Sequence, residues 1–146
     1  MFMNEYNHSV DIKGRIIVPS KLREELGEKF VLTVGLDGCL FMYPFSEWEK
    51  FVEQLVNLPG SAVSRNIQRY FMSNASECEV DKQGRFLVPQ KLREAAGIDI
   101  EGKVVLVGVI NKIELWSKEK WDEINNFSMM DMTEAAEAIE GFDIKC

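Results

Sequence analysis

The stretch Asp11-Ile-Lys-Gly-Arg-Ile-Ile-Val-Pro-Ser-Lys-Leu-Arg23 returns further along the chain as Asp81-Lys-Gln-Gly-Arg-Phe-Leu-Val-Pro-Gln-Lys-Leu-Arg93. Register is kept without a gap at Asp11 and Asp81, Gly14 and Gly84, Arg15 and Arg85, Val18 and Val88, Pro19 and Pro89, Lys21 and Lys91, Leu22 and Leu92, Arg23 and Arg93, Glu24 and Glu94, and Gly27 and Gly97. Any fold available to this chain must therefore build one local structure twice. Each copy predicts a strand, a tight turn, a second strand and a short helix. Gly14 and Gly84 supply a position that can take φ > 0, as a turn between twisted strands demands. The residues Ile16-Ile17-Val18 and Phe86-Leu87-Val88 have strand character until Pro19 or Pro89, which lacks an N–H and suits a first helical turn. Good helix formers follow, with Gly27 or Gly97 as C-cap.

Around the repeated motif, Glu5 to Val10 predicts the first strand, with Tyr6, His8 and Val10 on one face. Two strands, 30–34 and 39–43, bracket a glycine turn at 35–38. Ser46 and Glu49 offer a capping box before Trp48, Phe51, Val52 and Leu55 recur at helical spacing, an apolar stripe that belongs in a core. Leu58-Pro-Gly-Ser61 punctuates the chain, and Val63, Ile67 and Phe71 mark a linking helix that carries Arg65 and Arg69 on its other face. In the second half the apolar run 103–110 predicts a strand buried on both faces. Asn111-Lys112 turns it back into 113–116, and Ser117 opens a helix with Trp121 and Ile124. After Phe127 the segment 128–132 reads as irregular and 133–140 as a short acidic helix. Each half is thus ββαββα and too small to bury much surface alone. The expected class is α+β, two ββαββα repeats forming an intertwined double swapped-hairpin β-barrel with peripheral helices. The expected division is 1–60 for the first repeat, 61–76 for the linking helix, 77–127 for the second repeat and 128–146 for an acidic C-terminal tail.

With 46 % hydrophobic residues among 146, the chain can bury an ordinary core. No run approaches the roughly 20 apolar residues of a membrane span, and residues 1–11 lack the apolar segment of a secretory signal, so a cytoplasmic location is expected. Cys39, Cys78 and Cys146 are odd in number, widely separated and without metal-ligand spacing, which suits reduced thiols. The net charge of −7 at first argues against a polyanionic partner. Its distribution reverses that argument. Lys13, Arg15, Lys21 and Arg23 outnumber Asp11, and Lys82, Arg85, Lys91 and Arg93 outnumber Asp81, so each motif carries +3 and the remainder −13. Salt screens charge over roughly 8–10 Å, so a basic turn can attract phosphate while acidic surface lies elsewhere.

The pattern Asp-x-x-Gly-Arg-x-x-Val-Pro-x-x-Leu-Arg resembles the strand-turn-strand-helix signature of the AbrB/SpoVT superfamily of swapped-hairpin transcription factors. Two copies in one chain, together with the segments 43–49, 74–81 and 107–116, are similar to a tandem-repeat branch of it. The resemblance implies a sequence-specific DNA-binding regulator of the bacterial division and cell wall gene cluster, associated with the nucleoid, that binds short direct repeats upstream of its own operon. It implies homo-oligomers that close into rings, with double-stranded promoter DNA as partner and no membrane, small-molecule substrate, metal or cofactor. The loops 11–15 and 81–85 would contact DNA, giving Lys13, Arg15, Lys82, Gln83 and Arg85 as binding residues and Asp11, Gly14, Asp81 and Gly84 as the supporting turns.

Elementary chemistry is compatible with that role. An arginine on a rigid hairpin can fork two donors onto guanine O6 and N7, while a neighbouring lysine meets phosphate as a point charge. Asp11 and Asp81 lie four residues before the arginines, where a carboxylate can fix either the guanidinium or the turn backbone. A plainer alternative is that Arg15 and Arg85 only pair with their own aspartates. Lys21, Arg23, Lys91 and Arg93 are expected to cover the barrel or neighbouring subunits rather than touch DNA. Catalysis is not expected: the lone His8 has no partner, and no paired carboxylates, Ser/His/Asp set or phosphate-binding glycine loop appears. The remaining alternative is a ring-forming protein-interaction or antitoxin-like module whose ligand is another protein.

Overall fold

The computed structural model describes residues 1–139 and residue 141. The first half runs β1 (Glu5–Ser9), β2 (Arg15–Ile17), α1 (Ser20–Leu26), β3 (Lys29–Val34), β4 (Leu40–Pro44) and α2 (Phe45–Val56). Helix α3 (Ala62–Ser73) leads into the second half: β5 (Ser76–Glu79), β6 (Arg85–Leu87), α4 (Gln90–Ala96), β7 (Lys103–Val109), β8 (Lys112–Ser117) and α5 (Lys118–Ile124). Helix α6 (Met129–Ala138) follows. The ββαββα order and the mixed α+β class agree with the sequence. No helix among the described residues is long and apolar enough to cross a membrane.

Strand pairing runs between the halves. β1 lies antiparallel to β7, β5 lies antiparallel to β3, and among the described residues β2 and β6 pair only with each other. The six-stranded order β1-β7-β8-β4-β3-β5 is therefore the same read from either end, with β1 answering β5, β7 answering β3 and β8 answering β4. One pseudo-two-fold axis accounts for both sheets. It passes between β4 and β8, where Phe41 faces Glu114, and through the middle of the ribbon, where Ile16 faces Phe86. The pairings describe an open six-stranded sheet and a separate two-stranded ribbon; among the described residues no ladder closes them into a barrel.

The ribbon's inner side explains why the halves cannot part. Ile16 and Phe86 are 1 % exposed. Phe86 meets Phe30 of the other half edge to face at 5.1 Å, a contact worth about 0.5–1.5 kcal/mol beyond its burial. The stripe on α2 is core, as its spacing predicts: Phe51 stacks on Tyr43 at 5.2 Å and meets Phe71 edge-on at 5.0 Å. Trp121 in the other half approaches Trp116 at 5.8 Å. Cys39 and Cys78 are free and buried, and desolvation pushes their thiols up to about 12 and about 11. Cys146 and Glu140 lie outside the described residues.

Four local expectations change. Helix α2 starts at Phe45 with Pro44 as N-cap and no side-chain cap bond, so the Ser46–Glu49 capping box does not form. Strand β4 runs directly into the helix through the fixed φ of proline, leaving Ser46 inside the first turn. Helix α3 does not bury the line of Val63 and Ile67, which are 69 % and 37 % exposed. Polar anchors turn it instead: Gln68 Nε2 donates to the Leu55 carbonyl at 2.7 Å, and Thr33 Oγ1 donates to the Phe71 carbonyl at 2.8 Å. In β7 only Val104 to Leu106 are buried, while Val107 to Val109 are half-buried. Helix α6 begins at Met129, inside the stretch read as irregular, because Ser128 and Asp131 form a capping box with the shorter acid.

The β7–β8 hairpin turns on Ile110, whose φ of +65° is unusual for a β-branched residue. Its side chain is 67 % exposed, so little burial offsets the backbone cost. Ile110→Gly is expected to raise unfolding free energy by about 1 kcal/mol, read as a higher urea midpoint at unchanged slope. Equal or lower stability would mean that Ile110 does not hold that conformation.

Candidate nucleic-acid interface

Each repeated turn is closed by its aspartate. The backbone closes first, with Asp11 N donating to Arg15 O at 2.9 Å and Gly14 N donating to Asp11 O at 3.0 Å; Gly14 takes φ +87°. The carboxylate then fills the loop. Asp11 Oδ1 accepts from the Lys13 and Arg15 amides at 2.9 and 2.8 Å, and Oδ2 accepts from Arg15 Nε at 2.7 Å. The second loop repeats the set. Asp81 Oδ1 accepts from the Gln83 and Arg85 amides, both at 2.9 Å, and Oδ2 accepts from Arg85 Nε at 3.0 Å; Gly84 takes φ +79°. The two alternatives posed by the sequence are thus joined: the aspartate fixes the turn and the guanidinium together. The pairing uses Nε alone, and among the described residues no protein acceptor takes either Nη of Arg15 or Arg85.

Strand alternation sets where the arginines stand. Ile16 and Phe86 face inward, so Arg15, Ile17, Arg85 and Leu87 share the outer face of the ribbon. Arg15 faces Leu87 and Arg85 faces Ile17, which makes the arginines diagonal neighbours, roughly 7–8 Å apart between backbones. The loops cap opposite ends of this ribbon, because Val88 N donates to Gly14 O at 3.0 Å and Val18 N donates to Gly84 O at 2.8 Å. Lys13, Lys82 and Gln83 are exposed in the loops. Ile17 and Leu87, 44 % and 57 % exposed beside the arginines, were not among the residues expected at the site. The two-residue period of the strands was the signal that could have found them.

Other candidates sit apart. Lys21 and Lys91 are exposed on α1 and α4, whereas Arg23 and Arg93 are half-buried. Arg69 on α3 donates to its neighbour Asn66 at 3.2 Å, and Arg65 is exposed. His8 lies half-buried on β1 opposite Val104. No cluster of His, Cys, Asp and Glu that could hold a metal occurs among the described residues.

The loops leave an electrostatic mark. The Arg15 amide above all, then the Arg15 side chain and the Lys13 amide, hold the Asp11 carboxyl below its ordinary value of 3.8 against a partial desolvation that works the other way. Asp81 is held down in the same manner by the Arg85 amide, the Arg85 side chain and the Gln83 amide. A lowered carboxyl pKa in the fold favours the closed loop above the ordinary value, and the benefit is lost as pH falls through the still lower folded value. Both loops should therefore stay clamped throughout the neutral range and down past pH 4. Carboxyl carbon NMR should place both aspartate midpoints below 3.8. In Arg15→Ala the Asp11 midpoint should rise yet remain depressed, since the residue 15 amide is still there. An ordinary midpoint in the unaltered protein would mean the clamps are not made.

Comparison with known proteins adds an independent line. The family described as "MraZ protein, putative antitoxin-like" matches residues 1–69 and again 71–142, in step with the internal repeat. The chain is 63 % identical over 131 residues to the transcriptional regulator MraZ of Lachnoclostridium phytofermentans, covering 90 % of this chain and 91 % of that one. It is 50 % identical over 145 residues to the protein of the same name from Heliobacterium modesticaldum, covering 99 % and 100 %. It is 51 % identical, with the same coverage, to the one from Clostridium acetobutylicum. With both halves matched and relatives aligned along almost their whole length, the chain belongs to the MraZ family.

Proposed function

We propose that the chain is a sequence-specific DNA-binding transcriptional regulator that reads double-stranded promoter DNA with the outer face of the β2–β6 ribbon and its two loops. The observation that carries this reading is the pair of clamped, half-buried arginines, Arg15 and Arg85, placed diagonally on the outer face of a two-stranded ribbon with their Nη groups unclaimed among the described residues. A two-stranded ribbon fits the major groove of B-DNA, about 12 Å wide, and the guanidinium fork suits guanine O6 and N7. Lys13, Lys82 and Gln83 would position the ribbon on phosphate or adjoining bases, and the flanking Ile17 and Leu87 offer apolar contact to thymine methyls. The name that the relatives bear supports regulation as the role.

On this reading the repeats, 1–60 and 77–127, each supply one loop through a swapped-hairpin framework, joined by 61–76 and followed by the acidic tail 128–146. The regulated genes would be the division and cell wall cluster, through short direct repeats upstream of the chain's own operon. Two loops give modest affinity alone, so a homo-oligomeric ring presenting many loops would bind by raised effective concentration. The chain would act in the cytoplasm at the nucleoid, without catalysis, cofactor or metal. A second reading, a module whose main ligand is protein, is favoured by the antitoxin-like wording of the family description and by Met129 and Met130, 91 % and 74 % exposed on α6.

Fluorescence anisotropy against duplex from the chain's own upstream region and against scrambled duplex separates the two. Arg15→Ala and Arg85→Ala should each remove roughly 1–3 kcal/mol of preference for the upstream duplex while thermal unfolding is unchanged. Lys13→Ala and Lys82→Ala should weaken binding to both duplexes and lower the salt slope by about 1 each. Binding indifferent to all four would hand the chain to the protein-ligand reading.

A further inference from the structure

The arginines of the short helices have no role in the reading above, and their surroundings are unusual. Arg23 and Arg93 are half-buried near the C-terminal ends of α1 and α4, and the Nε of each is buried with no hydrogen-bond partner among the described residues. Neither forms an ion pair among the described residues. A buried donor left unpaired twice, at positions equivalent under the two-fold, calls for a reason other than stability.

The reason lies across the axis. A β-carbon built on Gly84 would stand 2.6 Å from Arg23 Cζ and 3.0 Å from its Nη1, so the guanidinium lies flat against the Gly84 backbone of the opposite half. A β-carbon built on Gly14 would likewise meet Arg93 Nε at 3.3 Å. Arg23 Nη2 donates to the Val18 carbonyl at 2.9 Å, and Val18 N in turn donates to Gly84 O at 2.8 Å. One side chain thus touches Gly84 at the end of the second loop directly and also holds the strand residue to which that loop is pinned. Glycine at these positions serves the turn and leaves room for the guanidinium.

We infer that Arg23 and Arg93 are positioning residues acting across the two-fold: Arg23 of the first half sets the loop that aims Arg85, and Arg93 of the second half sets the loop that aims Arg15. This rests on the DNA-binding reading for its functional consequence, though the contact itself stands apart from it. The planar guanidinium is required, because an ammonium on a flexible stem cannot lie flat on a peptide. Each reading loop is therefore kept in place by the half to which it does not belong.

The test has two arms. In the first, hydrogen exchange of the free protein is followed by mass spectrometry in Arg23→Met, Arg23→Lys and Arg93→Met, with thermal unfolding as the check on folding. Arg23→Met and Arg23→Lys should speed exchange in peptides spanning 81–87 and spare 11–17, and Arg93→Met should do the reverse; the Val18 and Val88 amides, which are bonded to Gly84 and Gly14, follow the opposite loop. Protection lost equally in both loops, or in the loop of the same half, overturns the inference. In the second arm, upstream-duplex binding is measured in double-mutant cycles. Arg23→Met should cost about ten-fold in affinity alone and much less in an Arg85→Ala background, while adding in full to Arg15→Ala. Rescue by lysine together with a lower salt slope in Arg23→Met would make Arg23 a phosphate contact and overturn positioning. If Arg15→Ala and Arg85→Ala leave binding untouched, the DNA-binding reading fails, and the exchange arm alone still decides whether the arginines hold the opposite loops.

Discussion

The structure depends on the pairing of β2 with β6. Among the described residues neither strand has another partner, each is three residues long, and an isolated ribbon of this size is not stable in water. It persists because Ile16 and Phe86 are driven into a core made by both halves and because Val18 and Val88 are pinned to Gly84 and Gly14 across the axis. The burial that keeps the halves together therefore also turns the opposite ribbon face outward, and with it the half-buried Arg15 and Arg85. Folding and display of the arginines are one event.

Inside that frame the aspartates act on geometry more than on stability. The Asp11–Arg15 and Asp81–Arg85 pairs are partly solvent-exposed, and such pairs add little to a fold. Their value is that one carboxylate fixes two amides and the guanidinium Nε at once. The arginine then has few conformations left to lose on meeting a ligand, which is the physical content of preorganisation. The acidic remainder of the chain does not oppose this, since charge beyond a Debye length is largely screened.

Much of this was legible because the repeat reports two things at once. Gly14 and Gly84 marked the turns, Pro19 and Pro89 marked the strand ends, and Asp11 stood four residues before Arg15 with a turn glycine between them, within reach of both the guanidinium and the turn backbone. What the chain concealed was long-range. Nothing local in β1 says that its partner is β7, since any strand with one apolar face can pair with several edges. The rotation of α3 escaped because Gln68, Tyr70 and Thr33 bind carbonyls distant in sequence, overriding the apolar spacing of Val63 and Ile67. Pro44 as a helix start escaped because Ser46 looked the better cap by composition. The placement of Arg23 and Arg93 escaped for the same long-range reason, as each meets a glycine in the other half.

The two halves are held in one covalent chain, and their loops already differ: the first presents Ile12 and Lys13 where the second presents Lys82 and Gln83. A homodimer of single modules must offer two identical tips and so favours palindromes. Fusion lifts that restriction, because each tip can drift in sequence while the shared framework stays two-fold. On the proposed DNA-binding reading, a ribbon of this kind would address an element that differs on its two strands, and the chain would take a direction along the duplex that a symmetric pair would lack.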